Sequence, residues 1–391
     1  MTRSRTVCVL ASLAVLASCS PGGVLDRLLP DDATGHDRYA ASLRAAGLDS
    51  TALGREWLAA SDSALHAPFA ATLPLREVGI YSRHEARAVA YRLELTEGQR
   101  LELSLEAEGL PARIFVDLYE ATGDTSRPFV HRATADTLST TGAARLSLAH
   151  EIRRDGSYVI RLQPELLRSG RFELVVRTAP ALAFPVEGHG NGAIRSYFGA
   201  ARDGGRRSHH GIDIFAPRGT PVLAAAEGVV RSTRPNNLGG NVVWLRDEAR
   251  GHSLYYAHLD SVVALRGQQV RVGDTLGFVG NSGNARTTPP HLHFGIYQRG
   301  RGPVDPLPWV RLVTAQPPRV RADTASLGRM AAPREASAIL RQAPSARAAE
   351  SVAITADQPV QIVAASDDWY RVQREDGWAG YLSARDLRMV D

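Results

Sequence analysis

Seven of the 12 histidines in this 391-residue chain fall between His189 and His293, concentrated in three short segments. The last, Pro290-His291-Leu292-His293-Phe294-Gly295, continues into Ile296 and Tyr297 and reads as a β-strand. Side chains alternate along a strand, so His291 and His293 share one face while Leu292 and Phe294 share the other. The first segment, Ser208-His209-His210-Gly211-Ile212-Asp213-Ile214, sorts the same way. His210, Ile212 and Ile214 have the parity of a core face; His209, Gly211 and Asp213 have the other. Parity therefore selects His209 over its neighbour as the partner of Asp213, and Gly211 between them keeps a side chain clear of a bound ion. His209, Asp213 and one histidine of the H-L-H strand supply three ligands and leave a fourth tetrahedral position open. Two imidazoles and a carboxylate resemble hydrolytic zinc sites and differ from a closed structural one. The other histidine of that strand, and His258 in Tyr255-Tyr256-Ala257-His258-Leu259, remain as a base or electrophile nearby.

These segments sit within residues 181–312, flanked by regions of different pattern. Residues 19–70 begin as a Pro/Gly-rich tether, and from Asp37 to Leu65 apolar residues recur at helical spacing, with Gly47 a break, which predicts a short helical hairpin. Over 71–180 the period becomes two: Val89, Tyr91, Leu93 and Leu95 alternate with polar residues, and Leu101, Leu103 and Leu105 repeat the pattern. Several such strands with turn signals between them predict an antiparallel β-sandwich. His84, His131 and His150 stand alone there and read as surface or satisfied residues. Residues 313–333, rich in Ala, Pro and Arg, read as a linker. The chain is thus mainly β and multidomain.

The histidine segments resemble the lysostaphin-like, or LytM-type, zinc endopeptidases of peptidoglycan, whose pattern is H-x-x-x-D, then Tyr-x-His-Leu, then H-x-H on a strand. Ser196-Tyr197-Phe198-Gly199, Gly219-Thr220-Pro221-Val222, Ala226-Glu227-Gly228-Val229-Val230, Gly273-Asp274 and Gly280-Asn281-Ser282-Gly283 extend the likeness on both sides of the site. The resemblance implies a LytM-type β-sheet peptidase domain with zinc on His209, Asp213 and His293. It makes His258 and His291 the unligated catalytic histidines, with peptidoglycan stems or cross-bridges as substrate. Bound zinc would lower the pKa of an attacking water toward about 7. The loop Arg202-Asp203-Gly204-Gly205-Arg206-Arg207 lacks a tyrosine that some family members carry before the first ligand. An arginine there would be an electrostatic substitute. Arg286-Thr287-Thr288-Pro289-Pro290 replaces the usual Ser-Thr-Gly-Pro before H-x-H, and Asn191 is placed to reach the metal in an inhibited state. The alternative is a non-enzymatic LytM-domain regulator that activates wall amidases; such proteins lack zinc ligands, and this chain keeps them all. Residues 334–391, closing on Gly377-Trp378-Ala379-Gly380-Tyr381-Leu382, resemble a bacterial SH3-like domain, which implies a small barrel.

Composition sharpens this reading. Cys8 and Cys19 are the only cysteines, which excludes a disulfide-stapled scaffold and a cysteine–zinc cluster. The formal charge of +5 is carried entirely by arginine and includes Arg3 and Arg5 of the N-terminus. Acids and arginines are interspersed elsewhere, so no nucleic-acid partner is implied and a polyanionic wall suits the charge as well. Arg3 and Arg5 precede an apolar run from Val7 to Leu16, too short to span a membrane and suited to a signal peptide over 1–18. Leu16-Ala17-Ser18-Cys19 resembles the bacterial lipoprotein box. The resemblance implies lipidation at Cys19, a membrane anchor and, with Ser20 following, an outer-membrane location facing the periplasm. The β-sandwich is then available to envelope protein partners.

Overall fold

The computed structural model describes residues 33–109, 113–123, 128–136 and 143–390. The segment 1–18, read as a signal peptide, and Cys19 lie outside the described residues, and among the described residues no helix is long and apolar enough to cross a membrane.

Two helices open the described chain, α1 (Gly35–Ala45) and α2 (Ala52–His66). Thr34 caps α1 in a reciprocal capping box with Asp37, and Gly47, at φ 69°, turns the chain between the helices. Trp57 of α2 is fully buried, donates its indole N–H to Pro164 O at 2.8 Å and stacks on His36, so the hairpin lies on the strands that follow.

Those strands are β1 (Phe69–Ala70), β2 (Leu75–Tyr81), β3 (Val89–Leu95), β4 (Gln99–Gly109), β5 (Ile114–Ala121), β6 (Phe129–Asp136), β7 (Ala143–Glu151), β8 (Gly156–Pro164) and β9 (Gly170–Pro180). One sheet runs β1-β3-β8-β5-β6, and β2-β9-β4-β7 form part of another. Tyr91, Leu93 and Leu118 from the first share a buried core with Leu101, Leu105 and Leu174 from the second, as the period of two predicts.

The central unit contains β10 (Ile194–Ser196), β11 (Ala201–Arg202), β12 (Arg207–Ser208), β13 (Ile212–Phe215), β14 (Pro221–Leu223), β15 (Gly228–Ser232), β16 (Asn241–Asp247), β17 (His252–Leu259), β18 (Ser261–Val262), β19 (Gln269–Val270), β20 (Thr275–Phe278), β21 (His291–Gln298) and β22 (Gly302–Val304), then the short helix α3 (Leu307–Val310). Its main sheet runs β10-β13-β21-β17-β16-β15-β19, with β22 also on β21, and a small sheet β14-β20-β18 contributes Val222 and Leu276 to the same core. The three histidine segments therefore meet on adjacent strands, the first leading into β13 and the others lying on β21 and β17. Ion pairs tie this unit to the sandwich: Arg250 to Glu151 at 2.8 Å and Arg301 to Glu97 at 2.9 Å.

The last strands are β23 (Met330–Pro333), β24 (Ser337–Arg341), β25 (Glu350–Thr355), β26 (Val360–Ser366), β27 (Trp369–Gln373), β28 (Ala379–Ser383) and β29 (Leu387–Met389). The expectation of a small closed SH3-like barrel over 334–391 is overturned. Among the described residues no sheet closes here. Instead β26 pairs with β2 through Val78↔Ala365 and Gly79↔Ala364, giving one continuous order β25-β24-β28-β27-β26-β2-β9-β4-β7. The strand edge that closure would consume is spent on the sandwich. A buried polar cluster fills the junction. Glu77, fully buried on β2, accepts from Arg371 Nη2 at 3.0 Å and Tyr381 Oη at 2.6 Å, and also from Tyr91 Oη. With both carboxylate oxygens satisfied, the charge is tolerable there. The segment 313–333, read as a linker, is docked too: Arg321 pairs with Asp367 at 2.6 Å, and β23 pairs with β26 and β29.

Candidate metal centre

Cross-strand register builds the site. Asp213 on β13 is the direct partner of His293 on β21, and Phe215 is the partner of His291. Directly opposed residues project to the same face of a sheet, so the carboxylate and both imidazoles stand together while Ile212, Ile214, Leu292 and Phe294 are fully buried beneath. His209 arrives from the loop before β13. Its Nε2 lies 3.0 Å from Asp213 Oδ1 and 3.0 Å from His293 Nδ1, which itself lies 3.0 Å from the same Oδ1. Zinc bonds of about 2.0–2.2 Å at the tetrahedral angle place neighbouring donors roughly 3.3–3.5 Å apart, so this triangle needs only slight opening to take the ion. It is the one such cluster among the described residues.

The surroundings fix the donors. His209 Nδ1 donates to Tyr197 O at 2.8 Å, leaving Nε2 with its lone pair toward the site. A Cβ on Gly211 would come within 2.4 Å of Phe294 O and 2.8 Å of His293 Cε1, so glycine is required there by the β21 backbone first and by the ligand ring as well. His210 departs from the core-face expectation. It is exposed because the chain leaves regular strand geometry over His209–Gly211, and parity counted back from Asp213 holds for His209 alone.

Burial is the largest influence on Asp213 and opposes its ionisation, but hydrogen bonds from His209 and His293 outweigh it and hold the carboxyl far below its usual range. Burial also lowers His293. Both directions favour the forms that bind a cation, carboxylate and neutral imidazole.

Arg202 completes the carboxylate. Its Nη2 donates to Asp213 Oδ2 at 2.9 Å and to Ser196 Oγ at 2.5 Å, leaving Oδ1 to the two histidines. The loop arginine thus holds a ligand in place, a role that neither charge nor spacing displayed in the sequence. Arg202→Met is expected to weaken zinc binding roughly 10–100-fold, measured by competition with a chromophoric chelator. Unchanged affinity would show that Oδ2 needs no such clamp.

His258 and His291 join the same groove, their rings 5.0 Å apart. His291 Nδ1 donates to Pro289 O at 2.8 Å, and His258 Nδ1 to Ser282 O at 2.9 Å. Carbonyls only accept, so each neutral ring keeps its lone pair on Nε2. Burial, then repulsion from His291 and His293, lowers the His258 pKa to about 4, so it is neutral at physiological pH. Regular alternation would turn His258 away from the groove, because Ala257 is the partner of His293 and Tyr256 points into the core. A left-handed backbone, φ 65°, re-aims it. Such strain costs about 1–3 kcal/mol and needs firm support. Ser282 provides it: its N–H donates to His258 O, and its hydroxyl bridges Asn241 N and Leu259 O. The Gly280-Asn281-Ser282-Gly283 turn is therefore the His258 clamp. Asn191 does not reach the metal ligands; both ends of its amide bind the backbone of Leu312.

The groove has a volume of about 860 Å³, and its lining residues all fall between Ser196 and Tyr297. No described residue of the sandwich or the C-terminal strands covers it.

Residues 207–306 match peptidase family M23, and residues 334–388 match the bacterial SH3 domain. The chain is 39% identical over 140 residues to the L-Ala--D-Glu endopeptidase of Bacillus subtilis, covering 33% of this chain and 43% of that protein. It is 41% identical over 120 residues to the DD-carboxypeptidase/endopeptidase Mpg of Neisseria meningitidis, covering 31% and 26%. With the peptidoglycan DD-endopeptidase ShyC of Vibrio cholerae the identity is 37% over 94 residues, covering 24% and 21%. The chain spans less than half the length of each of these relatives.

Proposed function

We propose that this protein is a zinc-dependent endopeptidase that hydrolyses peptide bonds in peptidoglycan stems or cross-bridges. The carrying observation is the 3.0 Å triangle of His209 Nε2, Asp213 Oδ1 and His293 Nδ1, with two further histidines facing the same groove. Likeness to peptidase family M23 over 207–306, and to relatives named for peptidoglycan cleavage, supports the substrate class. Zinc, when bound, supplies a Lewis acid that polarises a carbonyl and acidifies water.

His258 and His291 are the catalytic residues in this reading. Their Nε2 lone pairs stand ready to accept the proton of the attacking water, and the ring that gains it can return it to the leaving amine. Backbone carbonyls on both Nδ1 atoms hold the rings in that tautomer through the cycle. The regulator alternative has less support, because all three ligands and both free histidines are present and assembled.

Arg3, Arg5, the apolar run and Leu16-Ala17-Ser18-Cys19 support cleavage after residue 18 and lipidation at Cys19, with the mature protein on the outer membrane facing the periplasm. The sandwich is available for envelope partners.

Purified protein is expected to bind about one zinc per chain and to solubilise isolated sacculi, with a chelator stopping the release and added zinc restoring it. Sacculi left intact by the zinc-loaded protein, but opened when an amidase is added with it, would transfer the assignment to a regulator.

A further inference from the structure

The groove has two unlike walls. One is the β11–β12 hairpin, in which Arg202 is the register partner of Arg207 and Arg206 follows the tip. The hairpin is anchored to the metal centre: Gly199 N donates to His209 O, His209 N donates to Ala200 O, and Arg202 holds Asp213 Oδ2. Arg206 and Arg207 are exposed and line the groove. The opposite wall is aromatic. Trp244 packs on Tyr255 at 4.4 Å and on Tyr297 at 5.1 Å, and Tyr255 lies edge-on to His293 at 5.9 Å. Asp213 is the only acid among the described lining residues, and its charge is already shared by the ligand histidines and Arg202.

We infer that the peptide cut here carries a free carboxylate within a few residues of the scissile bond, read by Arg206 and Arg207, with its aliphatic portion lying on the Trp244–Tyr255–Tyr297 wall. The inference rests on the endopeptidase reading and adds its substrate preference. Arg206 lies three residues before a metal ligand, roughly 10 Å along extended chain, which matches about three residues of a bound extended peptide. Each guanidinium has five donors in a planar fork suited to a carboxylate. Both arginines also hold an interaction within the chain, so a substrate carboxylate would share their guanidinium donors with it. An amidated stem or a glycine bridge offers this wall no charge, and glycine offers the aromatic wall no side chain.

The test uses the zinc-loaded full chain and cross-linked disaccharide-peptide dimers, either with free carboxylates or with the same carboxylates amidated by carbodiimide and ammonia. The free form is expected to have about tenfold higher kcat/KM, mostly through KM, as for one partly exposed charge-assisted hydrogen bond. In an R206Q/R207Q protein with unchanged zinc content, that ratio should fall to within about threefold. Equal wild-type rates on both forms would overturn the inference and leave the endopeptidase reading standing. A preference undiminished in R206Q/R207Q would overturn the assignment to these arginines. Cleavage of neither form would refute the endopeptidase reading itself, a distinct result.

Discussion

His258→Ala should retain about one zinc per chain and lose turnover by roughly 10²–10⁴-fold, the usual contribution of a positioned general acid or base. The separation of binding from rate follows from the geometry. His258 contributes no atom to the ligand triangle, and its ring is 5.9 Å from that of His293, so removing it leaves the three donors in place. What is lost is a neutral imidazole whose Nδ1–H is committed to Ser282 O and whose Nε2 serves the groove. Alanine keeps the Cβ and hence the left-handed backbone cost, so the substitution tests the ring and not the strain. Atomic absorption and a sacculus digestion rate on the same sample decide it. Loss of zinc together with activity would make His258 part of the metal site; an unaltered rate would remove it from the chemistry.

Asp213→Ala should have the opposite signature, abolishing metal and turnover together. The carboxylate is the only anionic ligand, and its Oδ1 is 3.0 Å from both imidazole donors. Its removal leaves two neutral nitrogens to hold a divalent cation, with Arg202 beside them and without its partner. The loss of zinc affinity should exceed the roughly 10–100-fold cost of deleting an outer partner. Asp213→Asn keeps the shape and removes the charge, so it should also release the metal, which separates charge from packing. Isothermal titration with zinc measures both variants. An Asp213→Ala protein that still bound zinc stoichiometrically and tightly would refute the ligand set.

His209 and Asp213 were legible because strand parity is local, whereas parity left His291 and His293 equivalent and only the family resemblance chose His293. Alternation over 209–214 and 291–294 placed Asp213 and the H-x-H pair on one face each, and register then joined the faces. His258 is a different case. Its parity points to the core, and residue type and family resemblance, not alternation, brought it to the site, because the φ of 65° accompanies contacts with Gly239 and Ser282 that lie far off in sequence. Arg202 was hidden for a related reason: an arginine in a loop shows charge but not its partner. The C-terminal strands were recognisable as strands, yet period two cannot say whether an edge closes on itself or pairs with a neighbour. Glu77 was the available sign. It sits on the buried face of Leu75-Arg76-Glu77-Val78-Gly79, and a carboxylate at such a position requires a partner from elsewhere, here Arg371.

Mass spectrometry of the fragments released from sacculi by the zinc-loaded protein tests the central claim most directly. Soluble fragments carrying new amino and carboxyl ends at a peptide bond of the stem or cross-bridge are expected, absent when a chelator is present. Intact sacculi, or release that persists when the protein is stripped of zinc, would contradict it.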